Sequence, residues 1–242
     1  MAVDGGKPVD GGKPVDGERP VEGGKPVDLA TRLAAIRTAL PPGTRLLAVS
    51  KGQPAARIRE AVGLGQCSFG ESRLQEAVAK QAELADLDPL DWHFIGRLQP
   101  NKARAVLRAF GTIHSLDSLD LALRLQRIAA EEDLSPRVLI QVKFRPDPTK
   151  TGLEPAELRE LWPQLLQLEP LQVVGLMTIT PLELPDRERS EVFDECAALV
   201  AKLGLAECSM GMSGDWQQAA AAGSTWVRIG SGLFGPRPQP AG

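Results

Sequence analysis

Lys51 directly follows the nearly apolar run Leu46-Leu47-Ala48-Val49 and Ser50. An amine at the end of a buried strand is desolvated, and with cationic neighbours it gives up its proton more readily and can attack an aldehyde. A second chemistry lies near the C-terminus. Ser213-Gly214-Asp215 stands just ahead of a predicted helix starting at Trp216, and Gly230-Ser231-Gly232 follows a predicted strand carrying Arg228. Hydroxyls, backbone amides without obstructing side chains, and the positive end of a helix dipole are what a phosphate dianion needs. An amine beside a phosphate cup describes covalent capture of a phosphorylated aldehyde. Two classes satisfy it: pyridoxal 5'-phosphate (PLP) held as a lysine Schiff base, and a sugar phosphate in a Schiff-base aldolase. The residues alone leave both open.

Other chemistries have little to draw on. The 242 residues include no tyrosine and only two histidines, His93 and His114, so a phenolic acid, a His-rich metal cage and a Ser-His-Asp triad lack their parts. Cys67, Cys196 and Cys208 are odd in number and contain no CxxC pair, so they read as buried thiols of a reducing cytoplasm with no metal site. With 28 Lys+Arg against 31 Asp+Glu, the formal charge of -3 provides no basic field for nucleic acid. No apolar stretch is long enough to span a membrane, and no signal peptide is visible, so a cytoplasmic location is expected.

The residues must be positioned by the elements between them. Residues 3–28 repeat a VDGGKP-like hexapeptide, whose Gly and Pro would cost entropy to order with little burial in return; residues 1–28 therefore read as a disordered tail. Beyond it, strands are predicted at 45–49, 67–69, 91–95, 112–114, 137–142, 172–177, 206–209 and 225–229. Helices are predicted at 29–40, behind an Asp28 N-cap, and at 55–64, 74–85, 102–109, 119–132, 155–168, 188–203 and 216–222. Strict alternation of strand and helix gives an α/β chain built as a single (β/α)8 TIM barrel over 29–238, with a C-terminal tail at 239–242. A doubly wound open sheet is the alternative; the first strand has no GxGxxG after it. In a barrel the groups that follow each strand share one mouth, and the loops after strands seven and eight are where phosphate binds.

Several further candidates sit at that mouth. His93 is either an acid–base group or a structural histidine. Arg97, Asn101, Lys102 and Arg104 either form a basic lip or solubilise a helix. The 147–152 loop is a candidate lid, and Met177, Met210 and Met212 read as packing. Glu71 is placed to orient something by hydrogen bond.

The segments Ala48-Val49-Ser50-Lys51, Phe69-Gly70-Glu71, Trp92-His93-Phe94-Ile95-Gly96-Arg97-Leu98-Gln99-Pro100-Asn101-Lys102, Gly175-Leu176-Met177-Thr178-Ile179, Ser209 to Asp215 and Val227 to Gly230, with Leu233-Phe234-Gly235, closely resemble the YggS/PROSC family of PLP homeostasis proteins. That family resembles the N-terminal barrel of alanine racemase and the fold-type III PLP enzymes without their second domain. The resemblance implies that Lys51 holds PLP, that Ser213, Gly214, Gly230 and Ser231 bind its phosphate, and that Arg228 faces the pyridine nitrogen. It implies a role in vitamin B6 and amino-acid homeostasis without substantial catalysis, with no catalytic residue assigned and an amino-acid racemase as the alternative. Partners would be PLP-dependent apoenzymes or a regulatory protein, and a monomer is expected. Where the family carries Gly-Glu-Asn, this sequence has Gly-Glu-Ser, with Ser72.

Overall fold

The computed structural model describes residues 27–236. The expected hexapeptide tail, save its last two residues, and the expected boundary at 238 with its C-terminal tail lie outside the described residues.

Asp28 begins the structure as expected: its Oδ1 accepts the Thr31 amide hydrogen at 2.7 Å and starts α1 (Leu29–Ala39). Leu29, Leu33 and Ile36 are buried along one face of α1, and Pro41-Pro42 follow its end. Eight parallel strands follow: β1 (Arg45–Val49), β2 (Ser68–Glu71), β3 (Asp91–Phe94), β4 (Thr112–Leu116), β5 (Arg137–Gln141), β6 (Gln172–Met177), β7 (Glu207–Ser209) and β8 (Trp226–Ile229). They pair in chain order, and β8 returns to β1 in register from Arg45↔Trp226 to Ala48↔Ile229, closing the barrel. Closure decides against the open sheet.

The crossover helices are α2 (Ala55–Gly63), α3 (Leu74–Glu83), α4 (Ala103–Ala109), α5 (Leu119–Glu131), α6 (Pro155–Leu165), α7 (Asp186–Lys202) and α8 (Trp216–Ala221). In α5, Leu121, Ala122, Leu125, Ile128 and Ala129 form a stripe of helical period that turns wholly inward. Between helices and barrel lies an apolar layer, with Phe193, Leu125 and Leu158 on one side and Leu33, Ile58 and Phe69 on the other.

Four expectations are corrected. Strand two runs on through Gly70 and Glu71, which pair with β3 at His93 and Phe94, so Glu71 belongs to a strand and not to the loop after it. Helix α6 stops at Leu165, short of 168, because Pro163 removes an amide and the chain turns after it. A four-residue helix, α9 (Ser231–Phe234), forms where a glycine loop was expected. Of the three cysteines, Cys67 is exposed; only Cys196 and Cys208 are buried, their sulfurs 3.7 Å apart.

The barrel interior is polar at its base. Glu207 accepts hydrogen bonds from Arg45 at 2.8 Å, from Arg137, and from the Trp226 indole at 3.0 Å, while the Arg45 guanidinium lies 3.8 Å over the Trp226 ring. Burial opposes the Glu207 carboxylate, yet these donors and the two guanidinium charges hold its pKa below the usual carboxylate range. Charges survive inside because each has a partner.

Candidate functional site

Lys51 is exposed at the mouth, in a turn built to present it. Ser50 still pairs with the sheet, its amide donating to Gly70 O at 3.1 Å, and the Gln53 amide donates to Ser50 O at 2.9 Å, closing a four-residue turn. Gly52, third in that turn, has φ +73°, a value that strains any residue with a Cβ.

A buried ionic clamp fixes this turn from behind. Lys80 of α3, 5% exposed, donates to Ser50 O at 2.7 Å, Glu71 Oε1 at 2.7 Å and Glu76 Oε1 at 2.6 Å. Ser50 Oγ donates to Glu71 Oε1 at 2.7 Å, and the Gly52 amide donates to Glu76. Glu71 therefore faces α3 and not the mouth, and what it orients is the Lys51 turn. Burial raises the Glu71 carboxyl above its ordinary range despite the hydrogen bonds from Lys80 and Ser50. For Glu76 burial loses to the Lys80 and Gly52 hydrogen bonds, and its pKa falls. Sequence reasoning missed Lys80 and Glu76. The signal was a lysine on the helical face that Ala77 and Leu84 bury, where a charge needs a partner.

The two C-terminal loops meet as expected. Gly230 and Gly232 amides both donate to Ser213 Oγ, at 3.3 and 3.2 Å. The donors differ from the expected set, however. In the loop before α8 the Asp215 and Trp216 amides donate to Met212 O at 3.1 and 2.9 Å, and Asp215 Oδ1 accepts from the Met212 amide at 2.6 Å. That loop contributes a hydroxyl and the open space at Gly214, while the amides aimed at a common point come from the start of α9. A Cβ on Gly232 would stand 3.5 Å from Ser213 Oγ and 3.1 Å from Ile229, inside this cradle; one on Gly230 would stand 3.3 Å from the Val49 carbonyl of β1, where the strand runs out toward Lys51. Ser231, between the two glycines, is exposed. Two amides converging on one oxygen, in space that only glycine leaves open, fit a phosphate oxygen.

Arg228 projects into the barrel, 4% exposed. Its Nη1 donates to Ser209 Oγ at 2.7 Å and its Nη2 to Thr178 O at 2.8 Å. Burial brings its pKa down to about 10, against the pull of the Asp215 carboxylate, so it stays charged at neutral pH. His93 and His114 are fully buried in the interior with it, which settles His93 as a core residue. Arg104 pairs with Glu131 and Glu132, which makes it a solvated surface residue and removes it from the basic lip; Arg97 lines an open cavity of about 830 Å³ between the loops after β3 and β4. Met177 and Met210 are buried as packing. The 147–152 loop is tied at its base, where Gln141 Nε2 donates to Thr151 O at 2.6 Å. Among the described residues no helix is long and apolar enough to cross a membrane, and no cluster suits a metal ion.

The family model described as alanine racemase, N-terminal domain, matches residues 27–238. A pyridoxal phosphate homeostasis protein of Synechocystis sp. is 47% identical over 208 residues, spanning 84% of this chain and 95% of its own length. That of Escherichia coli strain K12 is 39% identical over 227 residues, spanning 87% and 97%. The structure of PipY from Synechococcus elongatus PCC7942 with PLP bound superposes with a TM-score of 0.83 at 51% identity, over 86% of this chain and all of that one, 100%. An alanine racemase of Clostridium difficile 630 superposes at 0.71 over 88% of this chain and 57% of its own, with 17% identity, a likeness of fold alone.

Proposed function

The chain belongs to the alanine racemase N-terminal domain family, and from that premise we propose that it binds pyridoxal 5'-phosphate at this mouth and serves intracellular PLP homeostasis by holding and releasing the cofactor. The observation that carries this is the convergence of the Gly230 and Gly232 amides on Ser213 Oγ, beside the strand that ends in Lys51. When bound, PLP supplies an aldehyde that condenses with a lysine amine, with loss of water, and a pyridine ring able to take up electron density.

Each residue then has a task. Lys51 offers the amine, and the Lys80 clamp holds its turn. Ser213, Gly214, Gly230 and Ser231 receive the phosphate with the Gly232 amide. Arg228 faces the ring nitrogen. All of them come from one barrel, so one copy of the chain suffices.

Two features favour holding over catalysis. A guanidinium donates and does not accept, so a ring nitrogen opposite Arg228 stays unprotonated and is a weak electron sink. The sequence contains no tyrosine, and both of its histidines are committed to hydrogen bonds in the barrel interior, so neither a phenol nor an imidazole serves as a second base at the mouth.

Absorbance of the purified protein, before and after borohydride, tests this. The wild type should show a visible band, lose it on reduction and carry the reduced cofactor on Lys51 by mass mapping; Lys51→Ala should show neither. A colourless wild type that takes up no added PLP would refute it. The matching family model favours one second reading, an amino-acid racemase. Lys51-dependent deuterium incorporation at Cα of an amino acid would establish that instead.

A further inference from the structure

An unbroken row of hydrogen bonds crosses the barrel from its base to Arg228. At the base Asp91 Oδ2 lies 2.7 Å from His93 Nε2 and accepts from Ser68 Oγ at 2.9 Å. His93 Nδ1 lies 2.7 Å from His114 Nε2, and His114 Nδ1 lies 2.9 Å from Ser209 Oγ, which Arg228 Nη1 reaches at 2.7 Å. Five strands supply or border it, and no sequence motif links its members.

Its two ends dictate where the hydrogens sit. Arg228 can only donate, and an ionised Asp91 can only accept. With both imidazoles neutral, one order satisfies every contact: Arg228 donates to Ser209, Ser209 Oγ–H to His114 Nδ1, His114 Nε2–H to His93 Nδ1, and His93 Nε2–H to Asp91. The reverse order would leave a bare His93 Nε2 lone pair against the carboxylate unless one extra proton were added. Facing the pair are the guanidiniums of Arg45 on β1, Arg137 on β5 and Arg228 on β8, against the carboxylates of Asp91 on β3 and Glu207 on β7. Burial, then the neighbouring His93 and these three guanidiniums, hold the His114 pKa well below its usual 6.5. For Asp91 burial is outweighed by the His93 and Ser68 hydrogen bonds, so it remains a carboxylate.

We propose that His93 and His114 are positioning residues: as neutral Nε2–H tautomers they aim the Ser209 hydroxyl oxygen at Arg228, and so fix the guanidinium that faces the cofactor ring. This rests on the assignment of Arg228 to the ring nitrogen. The polarised row has aligned dipoles from cation to anion, so each bond strengthens its neighbours. It also connects the ring contact to solvent at one place, since the Asp91 side chain is 46% exposed while both histidines are fully buried.

Two measurements test it. Long-range 1H–15N spectra of untagged, cofactor-free protein should show both of its histidines neutral, with Nε2 protonated and Nδ1 bare, at neutral pH. A Nδ1–H tautomer or an imidazolium at either residue overturns the proton order. In the PLP-loaded protein, His114→Phe, and Ser209→Ala should the first fail to fold, should shift the visible band and weaken PLP at least fivefold. Asp91→Asn, whose Oδ1 still accepts from His93, should retain the band while altering its dependence on pH. If Arg228→Gln shifts the band and the His114 and Ser209 variants do not, the positioning role is refuted alone. If Arg228→Gln leaves band and affinity untouched, the ring-nitrogen assignment fails, and the positioning role falls with it, whatever the tautomers prove to be.

Discussion

Replacing Lys80 with Met keeps an unbranched, apolar stem up to the ε position and removes the ammonium. Three acceptors each lose one of their two donors, and the one that carries charge: Ser50 O keeps the Gln53 amide, Glu71 Oε1 the Ser50 hydroxyl and Glu76 Oε1 the Gly52 amide. Glu76 is 23% exposed and can turn to water, but Glu71 is wholly buried and its Oε2 already lacks a hydrogen-bond partner. An uncompensated buried carboxylate costs about 3 to 5 kcal/mol. That cost has a ceiling, because Glu71 can bind a proton instead, and protonating a carboxyl with an unfolded pKa near 4.3 costs about 1.4 kcal/mol per pH unit above it. At pH 7 the ceiling is at most about 3 to 4 kcal/mol, and because burial already raises the wild-type Glu71 carboxyl the difference between the two proteins lies below it, so the melting temperature should fall by less than roughly 16 °C for a chain of this size. The sign follows from linkage. In the variant the folded state holds a proton that the unfolded state releases, so the deficit relative to wild type is smallest near the unfolded pKa and grows as pH rises through neutrality. Urea titrations followed by circular dichroism across that range measure it directly. Because the clamp also holds Ser50 and Gly52, PLP should bind the variant more weakly even where it is fully folded. A deficit below about 1 kcal/mol that stays flat with pH would show that Lys80 does not neutralise Glu71.

The phosphate cradle and the base of the barrel give two further expectations. Ser213→Ala should loosen PLP by about 1 to 3 kcal/mol through loss of a hydroxyl to a buried anion, and Gly232→Ala, whose Cβ stands 3.5 Å from Ser213 Oγ, should loosen it with little change in melting temperature; equilibrium titration of added PLP reads both, and unchanged affinity would remove these residues from the site. Glu207→Gln should destabilise the fold by about 1 to 3 kcal/mol at neutral pH, since two guanidiniums and an indole lose a charged acceptor. Glu207 has a lowered folded pKa, so its contribution is present above the ordinary carboxylate pKa and lost as pH falls through the folded value; the variant should therefore show a shallower acid limb in a pH–stability profile, and a limb identical to wild type would contradict the pairing.

Periodicity and punctuation determined the architecture. Alternating β-rich and amphipathic stretches, each long enough to bury one face, leave a closed parallel barrel as the natural way to cover every strand on both sides, and the mouth residues Lys51, Ser213 and Gly230 could be read from their places after the strands. Those signals are local, so they are visible in one dimension. The barrel interior is different. Glu71 looked like a mouth residue until its strand proved to run two residues further and turned it toward α3, where Lys80 was waiting. Asp91, His93, His114, Ser209 and Arg228 come from four strands and meet only because closure sets their registers side by side. A buried polar group declares its need for a partner in the sequence, but which partner it finds depends on strand stagger, and that is fixed only when the eighth strand pairs with the first.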